Sequence, residues 1–291
     1  MFEAVVRHRS LRAAAHALGL HHATLSRRVE RLEDRLGARV LERRQGGISV
    51  TPAGEVLSHA AADFAERLVE VRRRVSGTDR ALRGTVTLTA PATIAEACLA
   101  PRMRGFAERY PEMDLRIKVT YATLDLARGE ADVAIRVSDA PLDTLVGKRV
   151  LTLHQGAYAT PAYFARIARG EETPRWICWS RGPAFRRAVA RTPWPDAPLW
   201  GEFEDVTTQV ALAREGVGLA FLPAFCGERE PRLARAPGTK LQKGSDVWVL
   251  THPDLRNTAR IRAAMAFAET ALRADKALFT GADTRADTCA D

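Results

Sequence analysis

The chain has 291 residues, of which 46% are apolar and 27% are charged, a composition typical of a globular protein with two or three compact units. Most of the net charge of +9 lies in residues 1–83, where 16 Arg and no Lys stand against 10 acids, so we expect an anionic partner for that segment. No run reaches the roughly 20 apolar residues of a membrane span, no secretory signal is evident, and the four dispersed cysteines form no CxxC pair. We therefore expect a cytoplasmic protein with no metal, no cofactor and no membrane partner.

Three helices are predicted near the N-terminus. Residues 2–8 form the first, and Ser10 is a suitable N-cap for a second helix that ends at Gly19. The third runs from about residue 21 to residue 35. Its apolar residues are spaced three or four apart, which predicts one buried stripe consisting of Leu25, Val29, Leu32 and Leu36.

A strand, a Gly-Gly turn and a second strand are predicted within residues 38–51, which indicates a small β-wing. Thr51 and Pro52 then predict the start of a long helix that ends near residue 82. A helix of roughly 30 residues cannot bury a continuous apolar seam within so small a domain. The seam therefore predicts a homodimer, with a tetramer left open, and it consists of Val56, Ala60, Phe64, Leu68, Val71 and Val75.

Strands alternate with helices from Gly84 onward, which predicts an α/β domain with a mostly parallel sheet. About 200 residues is large for one sheet, so two lobes are expected. The predicted strands are 85–90, 115–121, 132–136, 176–180, 217–223 and 247–251. The predicted helices are about 97–109, 161–169, 207–215 and 258–274. The small, polar residues 280–291 predict a disordered tail.

The second and third helices, joined by a glycine turn, form a helix-turn-helix. The N-terminal part of the second of these helices is the part that enters the major groove, where Ser, His and Arg side chains contact base edges. Arginines on the wing are placed to contact phosphate or the minor groove. The candidate DNA-binding residues are His22, Ala23, Ser26, Arg27, Arg28, Arg43, Arg44 and Thr51. Arg31 and Arg35 have acidic neighbours, so a solvated helix face is favoured for them.

Residues 10–54 resemble the DNA-binding domain of the LysR family. The resemblance rests on Ala14-Ala15, Leu18-Gly19, Leu25-Ser26-Arg27, Leu32-Glu33, Leu36-Gly37, Leu41, Arg43 and Thr51-Pro52-Ala53-Gly54, and it continues to about residue 279. Where family members commonly carry Ser-Gln-Pro, this chain has His21-His22-Ala23, which leaves its base preference open. The chain also begins closer to its first helix than family members usually do, which leaves open a start upstream of Met1.

The resemblance implies a fold and a function. The fold is an N-terminal all-α winged helix-turn-helix with a long linker helix, followed by a C-terminal α/β domain that resembles the two-lobed periplasmic solute-binding proteins. The function is transcription regulation by a dimer or tetramer that binds double-stranded promoter or operator DNA and responds to a small-molecule effector. RNA polymerase is left open as a further partner.

The expected domains follow from the resemblance and the pattern together. Residues 1–54 form the winged helix-turn-helix and residues 55–83 the linker and dimerisation helix. Residues 84–279 form the effector-binding domain. Within it, lobe one consists of 84–153 and 252–279, and lobe two of 154–251.

Ligands in such two-lobed folds lie beyond the carboxyl ends of strands, close to helix N-termini. The candidate effector-binding residues at such places are Thr93, Tyr121, Thr123, Arg136, Trp179, Arg181, Thr207, Thr208 and Pro223. The two arginines suggest an effector with a carboxylate, and the two aromatic residues suggest an apolar part. Helix capping for Thr93 and Thr207, and surface positions for the arginines, remain alternatives.

An enzyme and an architectural DNA-binding protein are the alternatives to a regulator. An enzyme with a DNA-binding appendage is disfavoured, because the sequence has no GxSxG, Walker, GxGxxG or His/Glu metal motif and no catalytic residues are predicted. A purely architectural DNA-binding protein would not need a second domain of about 200 residues. Redox sensing through one of the four cysteines stays open.

Overall fold

A computed structural model describes residues 1–44, 47–76, 81–120 and 130–281 of the chain. The chain forms two compact units, Met1–Arg72 and Arg73–Asp291, and each has its own apolar core. Within the described ranges, no helix is both long and apolar enough to cross a membrane. The predicted tail falls almost entirely outside the described residues, as do Tyr121 and Thr123.

The N-terminal unit contains three short helices, a two-stranded antiparallel sheet and a long helix. These are α1 (Phe2–His8), α2 (Leu11–Ala17), α3 (His22–Leu36), β1 (Leu41–Arg44), β2 (Gly47–Val50) and α4 (Pro52–Ser76). Ser10 accepts the Ala13 N–H at 3.3 Å and Thr51 accepts the Gly54 N–H at 3.1 Å, so both predicted N-caps are confirmed. Gly19 has a φ of 63°, as the predicted helix end requires.

The buried stripe predicted on α3 is wrong at its C-terminal end. Leu25 and Val29 are buried, but Leu36 is 49% exposed because the chain leaves the core there and reverses at Gly37, with a φ of 64°. Glu33 is buried instead. Its Oε1 accepts the N–H groups of Val40 and Leu41 at 2.9 and 3.1 Å. A carboxylate with these two bonds fixes α3 to the start of the wing.

The long helix is shorter than predicted. The described part of α4 spans Pro52–Ser76, and residues 81–83 are not helical, so the helix does not reach residue 82. The helix nevertheless has 25 residues, long enough to extend well beyond a small domain.

Arg9 joins α1 to α2 in the left-handed conformation, with φ 49° and ψ 22°, and within the described ranges no other non-glycine residue has a positive φ. Its carbonyl accepts the Ile48 N–H at 3.1 Å, so this turn connects the helices to the wing. We expect Arg9→Val to lower the free energy of unfolding by about 2 kcal/mol, because a β-branched side chain is poorly tolerated in this conformation. Arg9→Gly should leave that free energy unchanged or raise it by up to about 1 kcal/mol.

Urea titration monitored by circular dichroism measures the free energy of unfolding of both Arg9 variants. Arg12→Val, which changes an exposed residue within α2, is the matched control for adding a valine to the same region. Equal free energies of unfolding for the two Arg9 variants would show that the left-handed conformation at residue 9 does not disfavour a β-branched side chain.

The C-terminal unit contains eight α-helices, nine strands and three other helical segments among its described residues. The strands are β3 (Gly84–Ala90), β4 (Met113–Val119), β5 (Val133–Ser138), β6 (Val146–Ala159), β7 (Trp176–Ile177), β8 (Leu199–Trp200), β9 (Leu219–Pro223), β10 (Ala234–Arg235) and β11 (Gln242–Thr251). The α-helices are α5 (Ala92–Ile94), α6 (Met103–Arg109), α7 (Pro161–Ala168), α8 (Pro183–Val189), α9 (Val206–Arg214), α10 (Ala224–Gly227), α11 (Ala259–Ala274) and α12 (Lys276–Thr280). The other segments are a π-helix (Ala95–Leu99) and two 3₁₀ turns (Ala100–Arg102 and Pro253–Leu255).

The strands are ordered β4-β3-β5-β11-β6-β9-β7-β8, with β10 beside β6. β3 pairs in parallel with β4 and β5, and β7 pairs in parallel with β8 and β9. The prediction of a mostly parallel sheet is therefore correct only at the two ends. The centre is antiparallel because the long strands β6 and β11 run in opposite directions between the two lobes.

Other local predictions also differ from the structure. β6 was not predicted, and the predicted strand at 176–180 is extended only over Trp176–Ile177. The helix predicted at 97–109 begins at Ala92 and passes through π and 3₁₀ geometry before α6. Pro101 explains the interruption, because proline has no N–H for the helix ladder.

The two lobes have separate cores. Leu88 of β3, Ile135 of β5 and Ile261 of α11 lie in the core of lobe one. Trp176 of β7 and Phe185 of α8 lie in that of lobe two. Two separate cores joined by two long strands form a two-lobed α/β domain.

Candidate functional site

Helix α3 presents the predicted DNA-binding residues on its accessible face. His22, Arg27 and Arg28 are exposed, and Ala23 and Ser26 are half-buried. Leu25 and Val29, on the opposite face, are buried in the core of the N-terminal unit. The helix is therefore anchored on one side and free to enter a groove on the other.

Ser26 and Thr51 line the same groove, which has a volume of about 460 Å³ and lies between α3 and the wing. Ser26 Oγ donates to Glu30 Oε1 at 3.5 Å. The Thr51 hydroxyl donates to the Arg39 carbonyl at 2.6 Å while it caps α4, so it has a structural role in this conformation.

The other three predicted DNA-binding arginines lie on α3 and on the first strand of the wing. Arg28 Nη1 is 3.2 Å from Met1 Sδ, so its guanidinium is directed toward the N-terminus. Arg43 and Arg44 lie on β1, opposite Ile48 and Gly47 of β2. Their side chains are outside the described part of the chain.

The apolar seam of α4 is exposed within a single chain. The exposed fractions are 71% for Val56, 68% for Phe64, 50% for Leu68 and 54% for Val71. Ala60 is also exposed, and the Val75 side chain is outside the described residues. Four large apolar side chains along one helix form a surface that favours a protein partner.

A pocket of about 430 Å³ lies between α5 and the π-helix of lobe one and α9 and α10, which adjoin β9. We call it the interlobe pocket. Thr93 and Thr207, which are far apart in the sequence, both line it. Each lies in the first turn of its helix. The structure thus brings two of the predicted effector-binding residues together, in a pocket of a size common for small-molecule sites.

Four other predicted residues do not line this pocket. The Thr208 hydroxyl donates to Asp205 Oδ2 at 3.1 Å, next to the cap of α9. The Trp179 ring packs against Phe185 and Phe221, with centroids 4.6 and 6.3 Å apart, within the core of lobe two. Arg181 is exposed, and Pro223 ends β9.

Arg136 lies on β5, on the face of the sheet opposite the core of lobe one. Its Nη1 donates to the Ile135 carbonyl at 2.9 Å, and both terminal nitrogens are 3.4 Å from the Oγ1 of buried Thr89. Burial lowers the pKa of Arg136. It has no ion pair with any carboxylate in the part of the chain that the structure describes, which favours an anion beside it.

Sequence reasoning missed five polar residues of the interlobe pocket: Glu96, Arg214, Cys226, Arg229 and Glu230. One of them had a usable signal, because Arg214 lies seven residues after Thr207 and so shares its helical face. The others depend on the π-helix and α10, which were not predicted. In the described ranges, no three His, Cys, Asp or Glu side chains are grouped closely enough to hold a metal ion.

Two thiols of lobe one and α10 have raised pKa values. Burial raises the pKa of Cys226 well above its usual range, although a hydrogen bond with Thr93 partly opposes this. Burial, together with Asp275, raises the pKa of Cys98 to about 12. Because the thiolate is the species that reacts, these shifts disfavour a redox role for both residues.

The two units match two known domain families. Residues 1–55 match the bacterial regulatory helix-turn-helix proteins of the lysR family, and residues 79–273 match the LysR substrate binding domain. An HTH-type transcriptional regulator from Xanthomonas campestris pv. campestris is 37% identical over 57% of this chain and 48% of its own length. The HTH-type transcriptional activator AmpR from Pseudomonas aeruginosa is 30% identical over 84% of each chain.

A solved structure agrees with both matches. The full-length Vibrio cholerae virulence activator AphB, a member of the LTTR protein family, covers 92% of this chain and 96% of its own with a TM-score of 0.55 and 19% identity. This likeness confirms the predicted fold of a helix-turn-helix unit followed by a two-lobed domain. The family consists of regulators rather than enzymes. The chain belongs to the LysR family of transcriptional regulators, with a DNA-binding helix-turn-helix and an effector-binding domain.

Proposed function

We propose that this chain regulates transcription by binding a specific operator, and that a small molecule held between its two lobes controls that activity. The observation that carries the proposal is the interlobe pocket, where Thr93 and Thr207 from different lobes line one cavity. Access to promoter DNA would place the protein in the cytoplasm. In this proposal the chain catalyses no reaction.

DNA binding is assigned to α3 and the wing. His22, Ser26 and Arg27 are proposed to contact base edges, because they lie on or beside the accessible face near the N-terminus of α3. Arg43 and Arg44 are proposed to contact the DNA backbone, because β1 carries them on the wing. Ala23, Arg28 and Thr51 complete the proposed interface.

The α4 seam is proposed to pair with the same seam of a second chain. A symmetric dimer would present two copies of α3, which would bind a pseudo-palindromic operator with half-sites separated by a helical turn or a multiple of it. A tetramer would form from two such dimers.

Effector control requires that the ligand bind one arrangement of the protein more tightly than another. A ligand in the interlobe pocket contacts helices of both lobes, so its binding energy depends on how the lobes are arranged. Arg136 and Arg181 are proposed as further contacts for an acidic group, and Tyr121, Thr123, Trp179, Thr208 and Pro223 as further residues around the cleft.

The first test removes the two hydroxyl groups. We expect Thr93→Val and Thr207→Val each to weaken effector affinity by about tenfold, because each loses one hydrogen bond at nearly constant volume. A thermal-shift screen of metabolites on the full chain identifies the effector and compares its shift in the variants. Operator affinity without effector should be unchanged in both.

Thr144→Val is the matched control, because Thr144 is exposed and does not line the pocket. This variant should respond to the effector as the wild type does. An effector that stabilises all of these proteins equally would place its site elsewhere.

A further inference from the structure

The interlobe pocket is lined by charges of both signs. Glu96 and Arg229 both line it, and Arg214 and Glu230 complete a set of two acids and two bases. The formal charge of the set is zero. A doubly charged anion would therefore gain little from the pocket as a whole, although individual arginines would attract a single carboxylate.

Two of these groups have no partner of opposite charge among the described residues. Arg229 Nη1 donates to the Ala97 carbonyl at 2.9 Å. No ion pair of Arg229 is present among the described residues. Exposed Glu96 has neither a hydrogen bond nor an ion pair there. A cation and an anion thus face one cavity, and each is available to a ligand.

Arg214 is only loosely paired. Its Nε is 3.5 Å from Glu215 Oε1 and its Nη1 is 3.7 Å from Glu230 Oε2, and its side chain is 39% exposed. The Nε atom is shielded from solvent and has no hydrogen-bond partner. A ligand would therefore contact this guanidinium through its terminal nitrogens. The ion pair of Nη1 with Glu230 is long at 3.7 Å, so a ligand carboxylate is a competitive acceptor there.

We infer that the interlobe pocket binds a small zwitterion, of which a free α-amino acid is the simplest form; this inference rests on the proposed function. The ligand carboxylate accepts hydrogen bonds from Arg229 and Arg214, and its ammonium group donates to Glu96. The α-carbon substituent has apolar surface available at the half-buried residues Val210 and Ala211. A volume of about 430 Å³ suits a ligand of this size.

The test uses the full chain and sets of three matched compounds that share one α-carbon substituent. Each set contains the α-amino acid, the same acid without its amino group, and the same amine without its carboxylate. The panel contains the proteinogenic L-amino acids and their D-enantiomers. Thermal shift identifies a stabilising amino acid, and calorimetric titration measures its affinity. We expect binding of the zwitterion and weak or no binding of its two analogues.

Two variants separate the two ends of the ligand. Glu96→Gln should weaken binding of the amino acid by about 10- to 100-fold, the effect of losing a charged hydrogen-bond partner, and should not weaken binding of the deaminated acid. Arg229→Gln should weaken both. Glu108→Gln, which changes an exposed acid on α6 away from the pocket, is the matched control and should alter neither affinity.

The outcomes distinguish this inference from the proposed function. Equal affinity for the amino acid and its deaminated analogue, or a Glu96→Gln variant that binds both as the wild type does, overturns the zwitterion inference. So does the absence of any response across the panel. A metabolite of another class that loses its effect in Thr93→Val and Thr207→Val would still support the proposed function. If no ligand alters operator binding, the proposed effector control itself fails.

Discussion

Replacing Phe64 and Leu68 together with aspartate should convert a dimer into monomers and weaken operator binding by at least about a hundredfold. These side chains are 68% and 50% exposed on α4 in a single chain, although both are large and apolar. Pairing two such helices buries them, and the double variant would then bury two unpaired carboxylates from each chain at a cost of several kcal/mol. A monomer would also engage one half-site instead of two.

Sedimentation velocity at micromolar concentration measures the first effect and fluorescence anisotropy with operator DNA the second. The control adds the same two charges on the opposite face of α4, through His59→Asp and Ala62→Asp, at exposed positions. It should remain dimeric. A wild-type chain that sediments as a monomer would contradict the proposed seam.

Arg27→Ala should lower the affinity for a specific operator by about 1–3 kcal/mol, roughly 10- to 100-fold, and leave the melting temperature unchanged. Arg27 is exposed near the N-terminus of α3, so its loss removes a base contact without opening the core. Ser26→Ala should act in the same direction. Arg43→Ala on the wing should weaken binding to all sequences. It should also lower the slope of log affinity against log salt concentration by about one, the effect of losing one phosphate contact.

Anisotropy titrations with operator and scrambled DNA at several salt concentrations separate these effects. Arg31→Ala, at an exposed position on the same helix for which a solvated role is favoured, is the control. Unchanged operator affinity in the Ser26, Arg27 and Arg43 variants would contradict the assignment of α3 and the wing as the DNA interface.

Local signals explain why the N-terminal unit could be predicted closely. Ser10 and Thr51 cap their helices within three residues, and Gly19 ends α2 through its own φ. β6 is different, because it is extended through pairing with β11 and β9, and the paired residues lie 62 to 105 positions later in the sequence. Pairing between such distant segments has no local signature.

The interlobe pocket also depends on contacts between distant segments, so only part of it could be predicted from the sequence. Thr93 and Thr207 could be proposed because both lie just after a strand or a loop at a helix start, where ligands commonly bind. Glu96 and Arg229 could not, because a charged residue on a helix or a turn is most often solvated. Only the packing of α5, the π-helix and α10 shows that these two charges face one cavity.

The core of lobe one is built from both ends of the C-terminal unit. Leu88 on β3 packs in the same cluster as Ile261 and Leu272 on α11 and Phe279 on α12. During synthesis, lobe two leaves the ribosome before these helices do, so lobe one stays incomplete until nearly the whole chain has emerged. A polypeptide that stops before α11 would retain the DNA-binding unit but expose an apolar core, which makes it a target for proteases and limits accumulation of a regulator that binds DNA without sensing its effector.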